Sequence, residues 1–407
     1  MAIECSRISR MLAELAQFTA TPGCGVTRLP FTPEAAQAAD YLLHRMQESG
    51  MDVKIDSSGA VIGTLPGGSN REFVIASHYD SVVHGGAYDG IAGVVCGIEI
   101  ARQFARGELP FALRVIATND EEGARFGSGF FSSRAFLGLH SVRELKKTCD
   151  RNGVSTYDAM KQAGFVPETI GQCVWNLSRV LAFVEIHIEQ GPVLETEQAD
   201  LGIVTGIVGM KRRMVHIYGQ AGHAGTTPMH LRRDAVEIAA HIICRIGDIA
   251  RRYPGAVATV GHIEASPNDI NTIAGTASFS VDIRSLDARA VDAIDRHILQ
   301  YIKMTCESMD GAYDTVLTLD QPPAPMDEAL RRRLQHACVH CKVPKILDLP
   351  SGAGHDSLAM AGEVPTAMLF VPSHNGRSHC PEEQTDAEAL VTACKVVHDV
   401  LYHFMEE

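Results

Sequence analysis

Over its first half the chain alternates short apolar runs with longer amphipathic ones. Phe73–Ser77, Leu113–Ala117 and Ala182–Ile186 are nearly continuous apolar runs, and that pattern predicts buried strands. Thr32 as N-cap with Pro33 at the first helical position predicts a helix over Glu34–Met46. Gly90–Phe104 also reads as helical. Strands alternating with helices predict a layered α/β domain. Much later, Thr366–Val371 adds one more strand of the same kind.

A block with a different rhythm interrupts this pattern. It reads as strand Arg213–Tyr218, helix Arg232–Arg252, strand Ala256–Ile263, strand Ala277–Ile283, helix Asp287–Ser308 and strand Thr315–Leu319. The order βαββαβ is the split-βαβ arrangement of a small α+β domain. Gly206–Gly209 and Gln321–Pro325 bracket the block and read as hinges. The simplest architecture is a small domain, 211–324, inserted into a larger discontinuous one, 1–210 and 325–407.

Composition narrows the function classes. The 407 residues suit two to three domains at about 150 residues each. A net charge of −13 with no basic block argues against nucleic-acid binding. No long apolar stretch predicts a membrane span, and the start shows no signal-peptide pattern. Eleven scattered cysteines, an odd number, fit a reducing cytoplasm rather than a disulfide framework. The 18 histidines invite a search for metal or acid/base chemistry.

Four polar clusters follow predicted strands. His78-Tyr-Asp80 and the turn-rich Gly85–Gly90 with Asp89 come after the first strand. A ligand and its orienting carboxylate can sit two apart on an extended segment. Asp120-Glu121-Glu122-Gly123 follows the second, His187-Ile-Glu-Gln190 the third, and Gly376-Arg-Ser-His379 the last. Each alone is equally an acidic turn or a loop. Together they put three histidines and an acidic pair beyond four strand ends, where α/β folds place active sites. That predicts a mixed imidazole–carboxylate metal site suited to zinc, manganese or cobalt in a hydrolytic role. His336-Ala-Cys-Val-His-Cys341 looks like a second metal tract, but Leu330, Leu334, Ala337, Cys338 and Cys341 follow helical spacing and predict a buried face instead. His223, Asn271 and Arg284 in the inserted block could close over an anion, or be ordinary turn and strand-end residues.

These motifs resemble the hydantoinase/carbamoylase branch of the dinuclear-metal aminoacylase and carboxypeptidase superfamily. The resemblance rests on His78–Gly90, Asp120–Phe126, His187–Glu195, Gly222–Met229, Ser351–Asp356 and Ser378-His379 followed by Pro381–Glu383. It implies a central mixed-sheet catalytic domain and an inserted α+β lid that also forms a homodimer. It implies two divalent ions, Zn²⁺ foremost and Mn²⁺, Co²⁺ or Ni²⁺ as alternatives. One would take His78, Asp89 and His187, the other Asp89, Glu122 and His379, roughly 3.5–4 Å apart. Asp80 would orient His78, Glu121 would act as general base, and His223 would stabilise the oxyanion from across the dimer. Gln190, Asn271 and Arg284 match substrate-binding positions, with main-chain contacts from Gly354 and His355.

The implied reaction is hydrolysis of the ureido C–N bond of an N-carbamoyl-L-amino acid, releasing ammonia and carbon dioxide. Allantoate amidohydrolase and then β-ureidopropionase are the alternatives, and a non-catalytic scaffold the contrasting class. His84, His374 and Arg377 depart from the family pattern, and Arg377 could meet a second polar group on the substrate.

Overall fold

The computed structural model describes residues 3–105 and 107–406. The chain forms two units, one made of Met1–Thr205 with Met326–Glu407 and the other of Gly206–Pro325.

The sheet of the first unit runs in the order Asp52–Ile55, Val61–Leu65, Ala112–Thr118, Glu72–His78, Val180–Ile188, Thr366–Val371, Leu201–Ile207. Glu72–His78 lies parallel to both neighbours, and Thr366–Val371 lies parallel to Val180–Ile188. Pairing turns antiparallel towards both edges. The sheet is therefore mixed, as the resemblance implies. Its central strands are buried along their length because helices or loops cover both faces. The alternation is visible within one strand. Phe73 and Ile75 join a core with the helices Cys5–Leu15, Pro33–Glu48, Ile91–Phe104 and Ala387–Glu406. Val74 and Ala76 point to the opposite core, around Phe131, Phe136 and Phe183.

The helix Pro33–Glu48 forms where the sequence predicts it, with Thr32 Oγ1 accepting the Ala35 N–H at 3.3 Å. Gly93 lets the helix Ile91–Phe104 approach the sheet closely. A Cβ there would stand 2.0 Å from the Ile186 carbonyl oxygen. The helix Cys5–Leu15 had no counterpart among the expected elements; Ile8, Met11, Leu12 and Leu15 line its buried side.

The second unit is a five-stranded antiparallel sheet under two helices, Ala235–Ala250 and Ala288–Ser308. Val215, Ile217, Phe279, Val281 and Ile283 alternate inward against those helices. The expected strand 256–263 is two strands, Val257–Thr259 and Ile263–Ser266. Between them Ser280 Oγ accepts the N–H groups of Gly261 and His262, at 3.3 and 3.0 Å, and diverts the ladder. The first helix starts at Ala235 rather than Arg232 because the Asp234 carboxylate caps it through the Val236 N–H at 2.9 Å. No helix among the described residues is long and apolar enough to cross a membrane.

Candidate metal centre

Parallel pairing of four strands brings the clusters together. His78 ends its strand opposite Thr118, so the Asp120–Glu122 turn emerges beside it. His187 lies near the end of the next strand, opposite Phe370. His379 arrives on the loop after Thr366–Val371. Asp89 sits just before the helix Ile91–Phe104. Gly90 there has φ +65°, and a Cβ at that point would collide with the His78 ring at 2.3 Å.

Asp89 stands between two groups of donors. Its Oδ1 is 3.5 Å from His78 Nε2 and 3.2 Å from His187 Nε2. Its Oδ2 is 3.1 Å from His379 Nε2, which lies 3.3 Å from Glu122 Oε1. His78–Asp89–His187 and Asp89–Glu122–His379 are each close enough to hold one ion, and they share Asp89. Burial opposes the Asp89 charge, but His187, His379 and His78 hold its carboxyl well below the usual range. Asp89 and Glu122 in turn push His379 up to about 10.

The donor set fits cations. His78 Nδ1 faces the Asp80 main-chain oxygen at 3.1 Å, and His187 Nδ1 faces that of Ile188 at 2.9 Å. A carbonyl oxygen only accepts, so each Nδ1 carries a proton, and in the neutral ring each Nε2 is the atom left to offer its lone pair to a cation. Those two Nε2 atoms are 3.4 Å apart, and the buried Asp89 Oδ1 and Glu122 Oε1 have no hydrogen-bond donor. Such a convergence of lone pairs is repulsive unless positive charge stands among them.

Around this centre, Asp80 holds the acidic turn. Its carboxylate accepts the N–H groups of Glu121 and Glu122, at 3.0 and 3.2 Å. The contact from Asp80 to the His78 ring is made by its main-chain oxygen, with the carboxylate 3.8 Å away. Glu121 Oε2 points to the same space, 3.9 Å from His78 Nε2. Burial pushes its carboxyl well above the usual range, and the neighbouring acids add to this while His78 opposes it. Gln190 Nε2 donates to Asp89 Oδ2 at 2.9 Å. His355 is buried, with its ring edge-on to His187 and its Nε2 2.8 Å from Ser351 Oγ. Burial, and then the neighbouring His187, hold its imidazole well below its usual value. Gly354 leaves room for Phe130, whose ring a Cβ would meet at 2.7 Å. Asp120, Gln190 and His379 all adopt left-handed backbone, with φ of 58°, 58° and 57°. Such backbone costs on the order of 1–3 kcal/mol per residue and gathers at functional sites.

His223, Asn271 and Arg284 lie in the Gly206–Pro325 unit. His223 and Thr272 pair across a two-stranded ribbon, and the Ala224 N–H donates to the Asn271 main-chain oxygen at 2.9 Å. This brings His223 and Asn271 together. Arg284 stands apart on the strand Thr276–Ser285, and its Nε donates to Asp282 at 2.9 Å. The three departures from the family pattern have protein partners: Arg377 pairs with Glu382, His374 with Asp386, and His84 with the Cys24 carbonyl.

Sequence reasoning missed the roles of three buried acids. Glu383 accepts the N–H groups of Tyr88 and Asp89, both at 3.0 Å, and the Ser378 hydroxyl at 2.7 Å. Glu185 accepts Ser357 Oγ at 2.7 Å and Ser77 Oγ at 3.2 Å beneath the centre. Asp356 accepts from Ser133 at 2.5 Å and from Thr118.

Comparison with known proteins agrees with this geometry. Residues 64–403 match the model of peptidase family M20/M25/M40. The chain is 37% identical to an N-carbamoyl-L-amino-acid amidohydrolase of Paenarthrobacter aurescens, covering 98% of this chain and 97% of that one. It is 36% identical to an allantoate amidohydrolase of Escherichia coli K12, covering 97% of both. A hydantoinase/carbamoylase family amidase from Burkholderia multivorans superposes with a TM-score of 0.91 at 30% identity, over 99% of this chain and 98% of that one. The chain belongs to peptidase family M20/M25/M40 and, within it, to the amidohydrolases of the hydantoinase/carbamoylase type.

Proposed function

We propose that this amidohydrolase cleaves the ureido C–N bond of an N-carbamoyl-L-amino acid, releasing ammonia and carbon dioxide. The observation that carries the reading is the shared carboxylate: two donor triads meet at Asp89, with Glu121 beside them. M20 enzymes use a dinuclear metal site, and His78, Asp89 and His187 would hold one ion while Asp89, Glu122 and His379 would hold the other. When bound, such ions lower the pKa of water and polarise a carbonyl. The donor chemistry suits Zn²⁺ first, with Mn²⁺, Co²⁺ or Ni²⁺ as alternatives.

The chain's own groups divide the remaining work. Glu121 takes a proton from the attacking water and delivers it to the leaving nitrogen. Burial raises its carboxyl above the usual range, the direction that helps one group both accept and return a proton. Asp80 fixes Glu121 and Glu122 through their main-chain N–H groups. Gln190 donates at the rim of the centre. Arg284 would receive the substrate carboxylate in its planar fork, with Asn271 as a further polar contact and His223 as the donor to the developing oxyanion. Gly354 and His355 would line the site with their main chain.

We also propose a homodimer formed through the inserted unit. Strand Ala312–Gln321 ends its sheet and pairs, among the described residues, with Gly209–Tyr218. It exposes Val316 by 48% and Leu317 by 44%. Long edge strands with exposed apolar residues are otherwise covered or charged.

Allantoate is the second substrate reading, because relatives of that name are nearly as similar as the carbamoyl amidohydrolases. The test is ammonia release from a panel of N-carbamoyl-L-amino acids, N-carbamoyl-β-alanine and allantoate, with each of the four metals. Turnover of allantoate alone would overturn the carbamoyl assignment.

A further inference from the structure

A second cluster of metal-ligating side chains, sharing no residue with the centre around Asp89, joins two helices. The helix Glu328–His340 buries Leu330, Leu334, Ala337 and Cys338, so the tract His336–Cys341 is not one metal-binding face. Its last residue, His340, turns instead towards the C-terminal helix Ala387–Glu406. There it meets Asp399 and His403, which are four apart and share a helix face. His340 Nδ1 is 2.6 Å from Asp399 Oδ1, and His403 Nε2 is 3.5 Å from Asp399 Oδ2.

We infer that His340, Asp399 and His403 form a peripheral binding site for a transition-metal cation of the Zn²⁺ or Ni²⁺ type. The residue types are those borderline cations select, two imidazoles and one carboxylate. One ligand atom from each lies within 4.8 Å of the other two. A tetrahedral ion with bonds of about 2.1 Å sets its ligands about 3.4 Å apart, so small side-chain rotations complete the set. Asp399 is already positioned, with its side chain only 13% exposed between the helices, and its buried Oδ2 has no hydrogen-bond donor. The two imidazoles are 69% and 48% exposed, which leaves the fourth position to water and gives the ion an entry path. Bound there, the ion ties the C-terminal helix to Glu328–His340 and stabilises that packing, since a ligand that binds only the folded state shifts the folding equilibrium.

The test compares the full chain with a His340→Gln/His403→Gln variant, both dialysed to equilibrium against excess Zn²⁺ and analysed for bound metal. The expected result is one zinc per chain fewer in the variant, with amidohydrolase activity unchanged. Equal zinc content would overturn the inference. Imidazole ¹⁵N spectra of the unaltered protein give a check that does not depend on the variant's folding. His340 and His403 signals must shift as zinc is added beyond the equivalents that fill the catalytic centre. Signals that stay put refute the site whatever the variant does.

Discussion

The Glu383 carboxylate accepts the main-chain N–H of Asp89 at 3.0 Å. The same side chain accepts Ser378 Oγ at 2.7 Å and the His379 N–H at 3.3 Å. One buried acid therefore fastens the segment carrying Asp89 to the loop carrying His379. Partners one step behind metal ligands typically contribute 10–100-fold to metal affinity or activity. Glu383→Gln should accordingly lower metal affinity or activity by about 10- to 100-fold, read by metal titration beside steady-state kinetics. Unchanged values in both would remove Glu383 from the account.

Glu121 faces the same space as His78 Nε2. Glu121→Gln should leave bound metal at the wild-type level and cut kcat by about 10²- to 10⁴-fold, the usual contribution of a general acid–base group. Metal analysis separates this outcome from simple loss of ions.

Asp356 offers a pH test away from the ligands. Burial, and then the charge of Glu185, raise its carboxyl to about 7 from an ordinary 3.8. A carboxyl raised on folding is stabilising in its protonated form. Its contribution is complete below the unfolded value and is lost as pH rises through the folded one. Denaturant midpoints measured from pH 4 to pH 8 should show Asp356→Asn gaining on the wild type as pH increases. A constant difference across that range contradicts the shift.

Gly93→Ala adds a Cβ 2.0 Å from the Ile186 carbonyl oxygen, which as backbone cannot rotate away. Overpacking of this kind costs typically 1–3 kcal/mol. Because Ile186 precedes His187, the variant should melt earlier and also bind metal more weakly. Thermal melts with and without added metal check both.

The legible part of the site was the part written in local pattern. Apolar runs located the strands, and the metal-ligand candidates lay within or a few residues beyond them, so His78, Glu122, His187 and His379 could be singled out before any contact was known. Glu383 gave no such signal, since its meaning lies in Tyr88 and Asp89, on a loop near the other end of the chain. Glu185 reads locally as a polar intrusion in a strand, and only Ser77 and Ser357 explain it. The break at Gly261 was hidden for the same reason, because Ser280 on the neighbouring strand makes it. The helix Cys5–Leu15 was different. Ile8, Met11, Leu12 and Leu15 carry helical spacing, so this helix was legible in local pattern.

The first unit is interrupted between Thr205 and Met326. On the ribosome, His78, Asp89, Glu122 and His187 emerge early, and the whole Gly206–Pro325 unit must then be made before His379 exists. A nascent chain thus carries every ligand of the His78–Asp89–His187 position while the Asp89–Glu122–His379 position still lacks its histidine. The order of synthesis sets the order in which the two cation positions can be completed.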